Sequence, residues 1–134
     1  MKKLLFAGLL VFTGLCSCND NINSYVSGQA YVLKYGETIK DAGSGLSIAL
    51  DSVLTDSRCP KDGVCIWAGN AEVRFVYSKD NNRMKFILNT LATFRTDSLI
   101  NGYRIKLVNL IPYHEVGSSI NQADYKAEIK ITKE

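Results

Sequence analysis

Along most of this chain, from residue 29 onward, apolar and polar residues alternate, which predicts half-buried β-strands. The clearest run has apolar Tyr125, Ala127, Ile129 and Ile131 separated by polar residues. A longer run over 65–77 has Cys65, Trp67, Gly69, Ala71, Val73, Phe75 and Tyr77 on one face. Further strands are predicted at 31–35, 46–50, 84–88, 96–100 and 103–109. Helix is scarce throughout this part of the sequence.

Turn residues separate these strands and predict how they pair. Asn101-Gly102 predicts a two-residue hairpin, and the polar segment 78–83 predicts the turn of another. About seven short strands joined by turns favour an all-β domain, a single antiparallel β-sandwich, with a small β-barrel as the alternative. No repeat or second domain is visible.

The first 18 residues predict export. Two lysines precede an apolar run over 4–15 that is too short to span a bilayer, as in a signal peptide. The sequence Leu-Cys-Ser-Cys at 15–18 resembles the bacterial lipoprotein signal, which implies lipidation of Cys18. Cys16 is the poorer acceptor, because the bulky Leu15 would then occupy the cleavage position. Ordinary secretion is the alternative.

The chain therefore divides into a signal peptide (1–17), a lipidated tether (18–28) and a β-sandwich domain (29–134). Residues 19–24 are polar and suit a tether. Acylation at Cys18 would anchor the protein to a membrane. We expect a Gram-negative cell-envelope lipoprotein on the outer membrane, facing the periplasm or the cell surface.

Composition is that of a globular protein, with 46% hydrophobic and 22% charged residues. The net charge of +3 includes Lys2 and Lys3 of the signal peptide. Basic and acidic residues alternate along the strands, and no basic stripe is visible. A nucleic-acid partner is therefore not expected.

Two of the four cysteines, Cys59 and Cys65, belong to the predicted domain. Export places them in an oxidising compartment, and Pro60 and Gly63 allow the chain to turn back between them. We predict a disulfide. A metal site is the alternative, but the chain has a single histidine, His114, which we interpret as a loop residue. No metal ligand and no cofactor are predicted.

One block of sequence is distinctive: Asp-Ser-Arg-Cys-Pro at 56–60, followed by Cys-Ile-Trp-Ala-Gly at 65–69. It resembles an uncharacterised family of small exported bacterial β-domain lipoproteins that carry this motif. The resemblance implies no catalytic residue.

The residue types in this block suggest a structural staple. The disulfide would pin a crossing between strands, with Trp67 covering it from the core side and Gly69 admitting a close neighbour. Arg58 would pair with Asp56 or cap nearby carbonyls.

The predicted lipid anchor, the tether and the disulfide-stapled domain together indicate a nonenzymatic envelope lipoprotein that acts as a binding or accessory module. Its partners would be the membrane, through the lipid, and a protein or glycan ligand. One alternative is a proteinase inhibitor that presents the 59–65 loop with Lys61. Another is a hydrolase that uses carboxylates such as Asp51 and Asp56.

Overall fold

The computed structural model describes residues 25–41 and 43–134, and this part of the chain forms eight strands and one short 3-10 helix. The strands are β1 (Ala30–Lys34), β2 (Thr38–Lys40), β3 (Ser47–Asp56), β4 (Ala71–Lys79), β5 (Asn82–Asn89), β6 (Asp97–Ile100), β7 (Tyr103–Ile111) and β8 (Lys126–Lys133). The 3-10 helix, Gln122–Asp124, lies between β7 and β8.

The strands form two four-stranded antiparallel sheets, in the orders β1-β8-β7-β6 and β2-β3-β4-β5. The sheets do not close into a barrel, so the predicted all-β sandwich is confirmed. The core lies between them because alternate side chains of each strand point inward. Ala127, Ile129 and Ile131 of β8, for example, are fully buried.

The strand predictions differ from the structure in three places. The strand predicted over 46–50 extends to Asp56. An eighth strand, β2, has three residues, which is too short for an alternating pattern to be detected. The strand predicted to begin at Cys65 begins at Ala71. Residues 65–70 belong instead to the long connection between β3 and β4.

At one end of the sandwich the chain turns tightly. β4 and β5 are joined by Asp80 and Asn81, and β6 and β7 by Asn101 and Gly102. Asp80, Asn101 and Gly102 have positive φ angles of 52°, 50° and 79°, as two-residue hairpins between twisted strands require. We call this the turn end.

The described chain also enters the sandwich at the turn end. The Tyr25 ring contacts the Tyr103 ring edge-on, with 6.2 Å between centroids, and the Gly28 N–H donates to the Ile131 carbonyl. Residues 25–28, assigned from sequence to the tether, therefore contact the sandwich. No helix in the described residues is long and apolar enough to cross a membrane. The predicted signal peptide and Cys18 lie outside the described residues.

Candidate functional site

Three long connections meet at the opposite end of the sandwich, which we call the loop end: residues 57–70, 90–96 and 112–125. The first contains the distinctive sequence block. Cys59 and Cys65 form the predicted disulfide, with 5.9 Å between their α-carbons. The Gly63 N–H donates to the Pro60 carbonyl at 3.0 Å, so the chain turns back where the sequence indicated.

A buried ion pair lies directly before the disulfide. Arg58 Nε donates to Asp56 Oδ1 at 2.8 Å, and Nη2 donates to Asp56 Oδ2 at 2.7 Å. Only 4% of the arginine side chain and 8% of the aspartate side chain are exposed. This two-point geometry fixes the orientation of the guanidinium as well as neutralising its charge.

Arg58 also connects the two sheets. Asp56 is the last residue of β3. Across the sandwich, Arg58 Nη1 donates to the carbonyl of Leu110 in β7. Arg58 Nη2 donates to the carbonyl of Pro112 at 2.8 Å. The Tyr113 ring lies against the guanidinium, 4.2 Å from its centroid. The structure thus contains both contacts suggested for Arg58, the carboxylate partner and the capped carbonyls. We call Asp56 and Arg58 the clasp.

The hydroxyl of Tyr125 completes the clasp by donating to Asp56 Oδ2 at 3.0 Å. Burial alone would raise the pKa of Asp56, but the hydrogen bonds and charge of Arg58 outweigh burial and hold it below its usual value. Burial and the neighbouring Asp56 charge raise the pKa of Tyr125 to about 12. The carboxylate is therefore ionised, and the phenol keeps its proton, at neutral pH.

Gly69 allows the loop to fold back against its own start. A β-carbon built at Gly69 would lie 1.6 Å from the carbonyl oxygen of Ser57 and 2.9 Å from the α-carbon of Arg58. No side chain fits there without a backbone shift. As the sequence suggested, Gly69 admits a close neighbour, and that neighbour is the backbone beside the clasp.

A second connection holds the disulfide loop from the side. Lys61 Nζ lies 2.6 Å from Glu115 Oε1, and the Lys61 N–H donates to the carbonyl of His114 at 3.1 Å. Asp62 Oδ1 accepts a hydrogen bond from the N–H of Val116 at 2.9 Å. Lys61 and Asp62 therefore hold the segment between the two cysteines against the 112–125 connection.

The prediction that Trp67 covers the disulfide from the core side is wrong. Its side chain is 77% exposed, and Val64 and Ile66 beside it are 103% and 93% exposed. Because Gly69 turns the chain back before β4 begins, residues 64–67 have no partner strand and no sheet face to cover. We call Val64, Ile66 and Trp67 the apolar tip.

A polar cleft of about 270 Å³ opens beside the clasp, between the end of β3 and the 112–125 connection. Asp56, His114, Ser118 and Tyr125 are among its lining residues. Both oxygens of Asp56 already accept from Arg58 or Tyr125, and Ser118 Oγ donates to the Glu115 carbonyl rather than to His114. Asp56 is therefore not a free carboxylate, and Ser118 is not activated by His114.

The other candidate carboxylate, Asp51, lies on the outer face of β3, where it pairs with Arg74 at 2.5 Å and Lys85 at 3.6 Å. Its hydrogen bond from Arg74 holds its pKa below the usual value. It does not line the cleft that contains Asp56. Within residues 25–41 and 43–134, no three His, Cys, Asp or Glu residues are grouped as metal ligands.

Comparison with family models, with curated proteins and with solved structures gave no match to this chain. Sequence analysis missed the apolar tip because Trp67 continues the alternating pattern of β4, although Val64 and Ile66 lie out of phase with that pattern and were a usable signal.

Proposed function

We propose that this protein is a nonenzymatic, lipid-anchored protein of the bacterial cell envelope that binds a partner protein through the apolar tip. The single observation that carries this proposal is the exposure of Val64, Ile66 and Trp67 on a loop that is otherwise tightly fixed. Clustered exposed apolar side chains mark interaction sites, and tryptophan is enriched among the residues that dominate binding energy.

The rigidity of the loop supports binding. The disulfide, the clasp and the Asp62–Val116 hydrogen bond fix the loop that carries the tip before any partner arrives. A preformed tip loses little conformational freedom on association, so more of the energy gained by burying Trp67 remains as affinity.

The charges around the tip favour an apolar protein surface as the partner. Lys61 is neutralised by Glu115, and Asp62 is occupied by the backbone of Val116. The backbone N–H of Lys61 also donates to the backbone carbonyl of His114. These contacts do not favour the proteinase-inhibitor alternative, in which Lys61 and its backbone would have to be free to enter a protease.

The predicted anchor and the tip lie at opposite ends of the domain. The described chain enters at Tyr25, at the turn end, and β4 alone separates the two ends by about 30 Å for its nine residues. A lipid on Cys18 would hold the turn end near the membrane and leave the tip free to meet a partner.

Site-specific photo-crosslinking tests the binding proposal. A photoreactive amino acid replaces Ile66 in the full chain, expressed in its native host, and the matched control carries it at Asn81 of the turn end. We expect a discrete crosslinked protein from position 66 alone, lost when Trp67→Ala is added. Crosslinks of equal yield from both positions, or none from position 66, would refute the proposal.

Labelling with a radioactive fatty acid tests the anchor. We expect Cys18→Ala to abolish incorporation and release or stall the protein, and Cys16→Ala to leave labelling and membrane partitioning intact. Incorporation that survives the loss of Cys18 would move the acceptor to Cys16, and no incorporation into the unaltered chain would refute the anchor.

A further inference from the structure

The outer face of the β1-β8-β7-β6 sheet gathers four lysines that are distant in sequence. Lys34 of β1 lies directly opposite Lys126 of β8, and Lys130 of β8 lies directly opposite Lys106 of β7. All four are exposed, while their strand neighbours Ala127, Ile129 and Leu107 are buried. We call Lys34, Lys106, Lys126 and Lys130 the lysine face.

The lysines are closely spaced. Residues directly opposite in an antiparallel pair have β-carbons about 5 Å apart, and Lys126 and Lys130 lie about 13 Å apart along β8. Like charges at opposite positions destabilise a sheet. Two such pairs on one face therefore oppose folding stability, and an anion bound at this face would relieve the repulsion.

Few anions on this face balance the lysines. None of the four forms an ion pair within the described part of the chain. Glu128 lies among them, opposite Val32 and Asn109. Asp97 is opposite Lys106, but its carboxylate is 2.6 Å from Arg104.

The outer face of the other sheet is neutralised differently. There, Asp51 pairs with both Arg74 and Lys85. Val76, directly opposite Lys85, is only 5% exposed although it points outward. The outer face of the other sheet also exposes Ile87 of β5 (39%), whereas the lysine face exposes four apolar side chains. They are Val32 (52% exposed), Leu99 (52%), Val108 (49%) and Ile111 (38%).

We propose that the lysine face docks onto anionic phospholipid headgroups of the membrane that carries the anchor. This inference rests on the proposed anchor for its orientation. The described chain passes from Tyr25 into β1, an edge strand of this same sheet, so a lipid on Cys18 would hold an edge of this sheet near the bilayer.

The combination of lysines with exposed aliphatic side chains favours a lipid interface over a purely acidic partner. Lysine heads contact phosphates, and Val32, Leu99, Val108 and Ile111 contact the boundary between headgroups and acyl chains. The apolar tip lies beyond the ends of the strands rather than on this face, so it stays accessible in the docked orientation.

Lysine footprinting on the full chain that carries the lipid on Cys18 tests this proposal. The protein is reconstituted into vesicles of equal parts phosphatidylglycerol and phosphatidylcholine, or of phosphatidylcholine alone, and the acylation rate of each lysine by an amine-reactive reagent is measured by mass spectrometry. We expect all four lysines of the lysine face to be protected only in the anionic vesicles, and high salt to remove the protection. Lys40 and Lys85 of the other sheet serve as internal controls.

Charge removal sharpens the test. Each lysine near an anionic membrane surface contributes about 1 kcal/mol, so Lys106→Gln with Lys130→Gln should weaken docking about 30-fold. The remaining Lys34 and Lys126 should then react as fast as in phosphatidylcholine. The matched control, Lys40→Gln with Arg83→Gln, removes the same charge from the other sheet and should leave their protection intact.

Equal lysine reactivity in both kinds of vesicle would refute the proposal, as would protection of Lys40 and Lys85 to the same extent. Protection that requires added envelope proteins would assign the face to an acidic protein and also overturn it. A chain that fails to float with phosphatidylcholine vesicles lacks the anchor and refutes that part of the proposed function. For such a chain without an anchor, flotation with anionic vesicles that is lost at high salt would still show that the lysine face binds lipid.

Discussion

At the turn end, two hairpins reverse the chain within two residues each, whereas at the loop end three long connections are held together by side chains from distant positions. Arg104 at the turn end forms ion pairs with Asp97 and Glu134 that remain open to water. Arg58 at the loop end is buried and joins both sheets. The turns depend on local backbone preference, and the loop end depends on a few long-range polar contacts that hold an apolar tip in solvent.

The largest expected effect comes from breaking the clasp. Arg58→Met leaves Asp56 buried without its partner, which should lower the free energy of unfolding by about 3–5 kcal/mol. Arg104→Met at the turn end is the matched control, and its effect should be far smaller because exposed ion pairs are weak. Urea unfolding measures both. Equal losses would contradict the distinction between the two ends.

Glycine substitutions test the same contrast through the backbone. Gly69→Ala places a methyl group against the Ser57 carbonyl and should cost about 3 kcal/mol, since overpacking displaces the backbone. Gly102→Ala, where φ is +79° and the nearest atom is 3.8 Å away, should cost about 1 kcal/mol from conformational strain alone. Thermal unfolding compares them, and a milder effect at Gly69 would show that Ser57 does not lie against it.

Reduction of the disulfide should lower the free energy of unfolding by about 2 kcal/mol, as expected for a short closed loop, and leave the fold intact. The clasp and the Lys61–Glu115 and Asp62–Val116 contacts still hold the loop when the bridge is open. Mass spectrometry without reductant should find two hydrogens fewer than in the reduced chain. Free thiols, or a melting temperature that falls with a chelator, would reopen the metal alternative.

Acid should destabilise the loop end through Asp56. Its pKa is lowered in the folded state, so its contribution to stability is complete above its unfolded pKa of about 3.9 and is lost as the pH falls through the lower folded value. Asp56→Asn should lose stability at neutral pH and show a shallower further loss in acid. Stability measured by urea unfolding from pH 6 to pH 2 checks this. An unchanged acid slope would contradict the role of Asp56.

Trp67→Ala is expected to have the smallest effect, within about 0.5 kcal/mol, because an exposed side chain contributes little to folding. The same substitution should abolish the crosslink from position 66. A large loss of stability would instead mean that Trp67 packs against the domain.

The strands and turns could be predicted from sequence because each depends on neighbouring residues. The alternation in β8 and the residues Asn101-Gly102 specify their structures locally, and the short spacing of Cys59 and Cys65 made their bridge predictable. The position of Trp67 could not be predicted, because the close approach of Gly69 to Ser57 ends the strand and no local pattern reveals it.

The lysine face and the contacts of the loop end depend on how distant parts of the chain are paired. Lys34 and Lys126 lie opposite each other only because β1 pairs with β8, a contact across 92 residues that alternation of charge along single strands does not reveal. The partners of Lys61 and Arg58 likewise come from the 112–125 connection and the end of β7.

The most direct test of the account is the fluorescence of Trp67, the single tryptophan of the chain. If the clasp and disulfide hold the tip in solvent, the folded protein should emit as a water-exposed indole, and acrylamide should quench it nearly as strongly as in the unfolded chain. Blue-shifted, weakly quenched emission that moves to longer wavelength on unfolding would contradict the account and return Trp67 to the core side of the bridge.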